Sequence, residues 1–204
     1  MKKYQTRDWV YIWLFGALWG GIELSLGTIL HVIFPPLVNT FFTGLIMASA
    51  GCIIALTGRS FIQKPWSIVL IGIITALLKL VSPGGVKLGP VVAILMESLL
   101  MEAAVSLFGQ RLRTGYITAG ILALIWNFIH RFVMLRILFG KNVVEVAVMM
   151  AKSGGKLLGI DEKRLIAIIL ILLVVRVAAG TVSGFAALKL GAEIRKRLEL
   201  KYGA

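Results

Sequence analysis

The chain has one cysteine in 204 residues, Cys52. A disulfide framework, a cysteine-held metal centre and an iron–sulfur cluster each need several thiols, so all three are excluded. There are two histidines, His31 and His130, with no H-x-x-x-H pair, and no metal site is expected. Neither G-x-x-x-x-G-K-[ST] nor G-x-G-x-x-G occurs. If ATP drives anything here, another chain must hydrolyse it. Charge is scarce as well: 15% of residues are charged and 59% are hydrophobic, against about 25% and about 45–50% in a soluble domain. With a mean hydropathy of +0.94, the surplus apolar surface has to face lipid. What charge there is leans one way, 22 basic to 9 acidic residues for a net +13. The basic residues cluster between apolar runs, which is a topology signal and not a nucleic-acid footprint.

Spans of about 20 apolar residues give six candidate transmembrane helices in a single membrane domain, 1–204: roughly 9–33, 37–57, 66–81, 88–109, 115–139 and 165–190. The third reaches only about 24 Å at ~1.5 Å per residue. It must begin earlier, near Phe61, or stop short of the outer surface. The basic N-terminus precedes an apolar run that is too long for a signal peptide and lacks an A-x-A site, so it reads as a retained first helix. Lys2, Lys3, Arg7, Arg59, Lys64, Arg111, Arg113, Lys189, Arg195, Lys196, Arg197 and Lys201 lie at one set of helix ends. Lys79, Lys87, Lys141, Lys152, Lys156, Lys163 and Arg164 lie at the other, diluted by Glu145, Asp161 and Glu162. This bias, 12 to 7, predicts that both termini are cytoplasmic. His31 to Pro36 and Ser82-Pro83-Gly84-Gly85 read as outer turns. In the long loop over 140–164, Val143, Val144, Ala147, Val148 and Ala151 predict a short amphipathic outer helix. Lys152-Ser153-Gly154-Gly155 follows as a hinge, and the whole is either a lid or a plain surface linker.

An ionisable group near the centre of a span costs at least ~2.5–3.5 kcal/mol on insertion scales, so each one calls for a reason. Glu23, Glu97, Glu102, Arg131 and Arg176 qualify. Glu97 and Glu102 are separated by ~140° of helical arc and should have different roles. Arg176 is expected to pair with Glu102, or with Glu97, as a structural ion pair. Span five carries Trp126, Asn127, His130 and Arg131 on one face, an aromatic plate beside an amide, an imidazole and a guanidinium. Span one carries Trp19, Glu23, Gly27 and His31 at successive i+4 positions. Two such stripes at similar depth would line one pocket for a flat, polar small molecule, with Glu97 favouring a cation and Arg131 pairing with Glu97 or Glu23 when the site is empty. Trp9, Trp13 and Trp66 fit interface anchors instead. Ser183-Gly184 with His130 or His31 is the sole nominal pairing for a serine nucleophile, and no enzyme is expected. Gly16-x-x-x-Gly20 and Ala17-x-x-x-Gly21 on span one, and Arg176-x-x-x-Gly180-x-x-x-Gly184 on span six, mark close helix approach, to a partner or internally.

The order of these features resembles the substrate-binding S components of energy-coupling factor (ECF) transporters, in particular the hydroxymethylpyrimidine/thiamine branch. The features are the basic N-terminus, the small-x-x-x-small first span, the Gln63-Lys64-Pro65 break before a short third span, Ser82-Pro83-Gly84-Gly85 before a fourth span ending Glu102-Ala103-Ala104, and a last span with Arg176-x-x-x-Gly180 running into a basic tail. They cover nearly the whole chain. The resemblance implies a six-helix fold in a prokaryotic plasma membrane and an outward pocket for a vitamin or its precursor. It also implies partnership with a membrane coupling subunit and two cytoplasmic ATPases. In that family the small stripe on the first helix, usually two alanines, docks on the coupling subunit; here Ala17 matches and Gly21 takes the second place. The competing expectations are an independent small transporter or channel acting as an oligomer, which would move substrate when reconstituted alone, and an intramembrane enzyme.

Overall fold

The computed structural model describes residues 3–33, 36–82, 88–109, 113–140, 142, 145, 148, 152, 159 and 164–202, and omits the side chains of 27, 28, 30–33, 36–41, 135, 138, 139 and 165. Among the described residues there are six helices and no strand: α1 (Thr6–Ile33), α2 (Pro36–Ile62), α3 (Ser67–Val81), α4 (Leu88–Phe108), α5 (Arg113–Phe139) and α6 (Leu165–Tyr202). Five are long and apolar enough to cross a membrane. α3, at 15 residues, reaches only ~22 Å. Of the amphipathic outer helix expected within 140–164, Glu145, Val148 and Lys152 are described and are helical; its other residues, Ser153-Gly154-Gly155 of the hinge, the side chain of His31 and the turn after Ser82 fall outside the described residues.

The helices form a ring in the order α1, α3, α4, α5, α6, α2, and α2 also touches α3, α4 and α5 across the bundle. α2 is accordingly the most buried span. The N-terminus of α1, the end of α2 and the tail of α6 meet at one end. There the Tyr4 hydroxyl donates to the Pro65 carbonyl at 2.6 Å, Lys64 pairs with Asp8, and the Arg195 guanidinium lies 5.8 Å from the centre of the Phe61 ring.

Two helices run further than the apolar pattern indicates, and for different reasons. α2 continues to Ile62 because its last turns are not a loop at all: Phe61 stacks on Phe15 and Arg59 is buried in an ion pair. α6 continues to Tyr202 because its basic and acidic tail residues are good helix formers, with Glu193 and Arg197 bridged one turn apart at 2.9 Å. The break between α2 and α3 then needs left-handed backbone at two residues that are not glycine, Gln63 (φ 44°) and Trp66 (φ 70°). α3 therefore starts at Ser67 and stops short.

Lipid tails are as apolar as leucine, so apolar burial does not drive the helices together. Close packing and internal hydrogen bonds do. Large side chains such as Val10, Leu14, Leu77, Ile166 and Val182 face outward, while the tightest crossings use glycine. Between α5 and α6, a Cβ on Gly180 would sit 2.6 Å from the Gly120 carbonyl oxygen, and Gly184 lies directly on the Tyr116 carbonyl. Between α1 and α3, a Cβ on Gly16 would sit 2.6 Å from Ile74 Cβ, and one on Gly20 would sit 2.6 Å from Leu78 Cδ1.

Candidate functional site

Two buried charged side chains, Glu97 and Arg176, meet the half-buried Asn127 between α4, α5 and α6. Asn127 Nδ2 donates to Glu97 Oε1 at 2.9 Å, and Arg176 Nη1 donates to Asn127 Oδ1 at 2.5 Å. The amide is used at both ends, passing a hydrogen bond from a cation on α6 to a carboxylate on α4. Such a relay satisfies two ions that could not otherwise remain in a dry interior. α2 makes room for it at Gly44, where a Cβ would stand 3.0 Å from Asn127 Oδ1.

One turn along α5, Trp126 and His130 lie with ring centroids 5.9 Å apart. The imidazole lies beside the backbone of Gly89 at the start of α4. His130 Nε2 and Trp126 Nε1 are both buried without a hydrogen-bond partner. Buried polar atoms are nearly always satisfied, and an orphan calls for an explanation. Two such orphans lie here on neighbouring side chains, beside the charged relay. Arg131 lies close enough to Arg176 for their charges to repel.

Of the residues expected at one pocket, Glu97, Trp126, Asn127 and His130 are brought together, and Arg131 is near. Trp19 and Glu23 of the α1 stripe are not part of that group. α1 and α5 make no contact among the described residues, because α2 lies between them. Trp19 is fully buried with its indole edge on Gly51 of α2, and Glu23 pairs with Lys79 of α3 at 3.4 Å. The Trp19 Nε1 lies beside the Glu23 carboxylate but short of hydrogen-bond geometry. Glu23 approaches the relay only through its repulsion of Glu97.

Two expected pairings and one docking set are corrected. Glu102 does not pair with Arg176: its Oε1 lies 3.3 Å from Arg59 Nη2, its Oε2 accepts from the Ile68 amide at 2.9 Å, and Arg59 Nη1 donates to Ser67 Oγ at 2.9 Å. Glu102 thus caps the start of α3 from a neighbouring helix, where a carboxylate satisfies an amide left open by the helix geometry. Arg131 pairs with neither Glu97 nor Glu23, since Asn127 holds the first and Lys79 the second. The docking set on α1 splits: Gly16 and Gly20 are buried against α3, so they cannot receive a partner, whereas Ala17 and Gly21 are exposed and nothing lies within 4 Å of a Cβ on Gly21.

Sequence reasoning misses Arg59, Lys79 and Gly44 as structural partners. It places Arg59 and Lys79 among the charges flanking the membrane. A signal for Arg59 exists in that Phe61 and Ile62 follow it, so an apolar turn lies beyond the charge. Gly44 carries no signal without knowing which helix faces it. Compared with protein families, curated proteins and solved structures, the chain matches none.

Proposed function

We propose that this chain is the substrate-capture subunit of an ATP-driven importer for a small vitamin-like molecule, held between α4, α5 and α6 beside Trp126 and His130. The observation that carries the reading is the pair of orphaned buried atoms, Trp126 Nε1 and His130 Nε2, a turn from the Glu97–Asn127–Arg176 relay. In the tautomer that carries its proton on Nδ1, the His130 Nε2 accepts a hydrogen bond while the indole donates one. An aminopyrimidine edge presents that complement, an N–H donor beside a ring-nitrogen acceptor, and its flat ring stacks on tryptophan. The charge balance favours the uncharged hydroxymethylpyrimidine precursor over the thiamine cation. Glu97 is already engaged through Asn127 with Arg176, and Arg131 adds a second positive charge nearby.

Ala17 and Gly21 support the partnership with a coupling subunit. They form an exposed face of small residues on α1, where another helix backbone would approach closely. The chain's lack of a nucleotide motif fits a subunit whose ATPases are separate. The test is equilibrium binding of the pyrimidine and of thiamine to the purified protein, with mass spectrometry of any small molecule that copurifies. Trp126→Ala is expected to weaken binding by ~1–3 kcal/mol, the range for losing one base-like stack. Unchanged affinity would move the pocket elsewhere. Uptake by vesicles containing this chain alone would replace the capture-subunit reading with that of an independent transporter.

A further inference from the structure

The end of the bundle where the termini converge contains a cleft of about 680 Å³, walled by the first turns of α1, the end of α2 and the tail of α6. Its charged lining is Lys3, Arg7, Lys64 and Arg195 against Asp8 and Glu199. Asp8 is committed to Lys64, and no ion pair among the described residues engages Lys3, Arg7 or Arg195. The cleft therefore keeps a net positive field. Two of its cations are also held in place. Lys64 donates to the Lys3 carbonyl at 2.6 Å beside the Tyr4 ring, and Arg195 stacks over Phe61. Little side-chain freedom remains to be lost when an anion enters.

The depth of the cleft follows from its neighbours. Trp66, in the α2–α3 break, is 55% exposed, and Trp9, ring to ring with Tyr4, is 44% exposed. Exposed tryptophans of a membrane bundle sit at the headgroup level. A basic cleft at that level faces phosphate, for which guanidinium groups are suited in both charge and geometry.

We propose that this cleft binds a phosphate group, delivered at this depth by the headgroup of an anionic phospholipid. The inference is independent of the vitamin reading, since the cleft shares no residue with the relay.

Native mass spectrometry of the detergent-solubilised protein tests it, with phosphatidylglycerol and phosphatidylcholine added in turn. Phosphatidylglycerol is expected to be retained in preference. In Arg7→Gln/Arg195→Gln its affinity should fall about 30-fold, as expected when two basic side chains no longer face an anionic headgroup. Lys196→Gln/Lys201→Gln removes the same charge from outside the cleft and should change affinity far less. Arg195→Lys, which keeps the charge, should recover part of the loss, and an unchanged elution profile will show that each variant is folded. Displacement of the lipid by inorganic phosphate, with the same dependence on Arg7 and Arg195, would keep the site and assign it to a soluble phosphate. Equal losses in the two double variants, or no preference for phosphatidylglycerol together with no phosphate binding, would overturn the proposal.

Discussion

Arg176→Met tests the relay most directly. Methionine keeps an unbranched apolar stem and removes the guanidinium, so the hydrogen bond of 2.5 Å to Asn127 is lost and Glu97, 3% exposed, keeps only a neutral amide for its charge. Breaking a buried pair by removing one partner costs about 3–5 kcal/mol, because the other charge is stranded. At roughly 2–4 °C per kcal/mol for a chain of this length, the unfolding midpoint should drop by roughly 6–20 °C. Cys52, the single thiol, is buried, and a thiol-reactive fluorophore therefore reports unfolding without any engineered label. Glu97→Gln alone should also destabilise, by leaving Arg176 uncompensated. The double variant Glu97→Gln/Arg176→Met, which strands no charge, should lose less than the sum of the two single changes. Strict additivity would refute the reasoning, since it would mean that the carboxylate and the guanidinium do not sense each other through Asn127.

Gly44→Ala should shift Asn127 and destabilise by about 1–3 kcal/mol, because its new methyl would stand 3.0 Å from Asn127 Oδ1; ligand affinity measured alongside will show whether the relay serves the pocket. Ala17→Leu and Gly21→Leu should abolish copurification with a coupling subunit while leaving the isolated protein stable, whereas Gly16→Leu, aimed at Ile74, should unfold it. Assembly that survives both exposed substitutions would place the docking face elsewhere. Glu102→Gln should cost about 3–5 kcal/mol by stranding Arg59, read from the same thiol assay. Lys152→Cys should react with an impermeant thiol reagent from outside cells and Lys196→Cys should not, with Cys52 silent as background; the reverse pattern would invert the orientation.

The spans are legible because lipid imposes one requirement on every residue of a crossing, and composition alone satisfies it. The face shared by Trp126, Asn127 and His130 is legible for a similar reason, being a property of one helix and its periodicity. Partners are not. Glu102 meets Arg59, and Glu23 meets Lys79, because α3 lies between α1 and α4 in the ring, and no local pattern encodes ring order. For the same reason the sequence joins the α1 stripe to α5, which α2 separates from it. Helix ends are misplaced wherever a charge is taken to mark water. Arg59 is 2% exposed, and a charge with a buried partner can lie within a span.

The α5–α6 crossing constrains how any ligand could leave. Gly120, Gly180 and Gly184 bring backbone against backbone, and even a methyl group on Gly180 would meet the Gly120 carbonyl at 2.6 Å. Rotating α6 about its axis would drive the side chains beside those glycines into carbonyl oxygens. Arg176 is one turn from Gly180 on the same helix, and Asn127 is two turns from Gly120 on the other, so the hydrogen bond between them adds a second tie across the same interface. Close backbone packing and this hydrogen bond both oppose sliding between α5 and α6, which makes it a poor route for opening a site beside Asn127. A site on such a pair changes its exposure more readily through movement of α4 or the connections above it, or through reorientation of the whole bundle in the membrane. Under the proposed function, the latter is the motion that a coupling subunit docked at the exposed Ala17 and Gly21 of α1, on the opposite side of α2 from that pair, would drive.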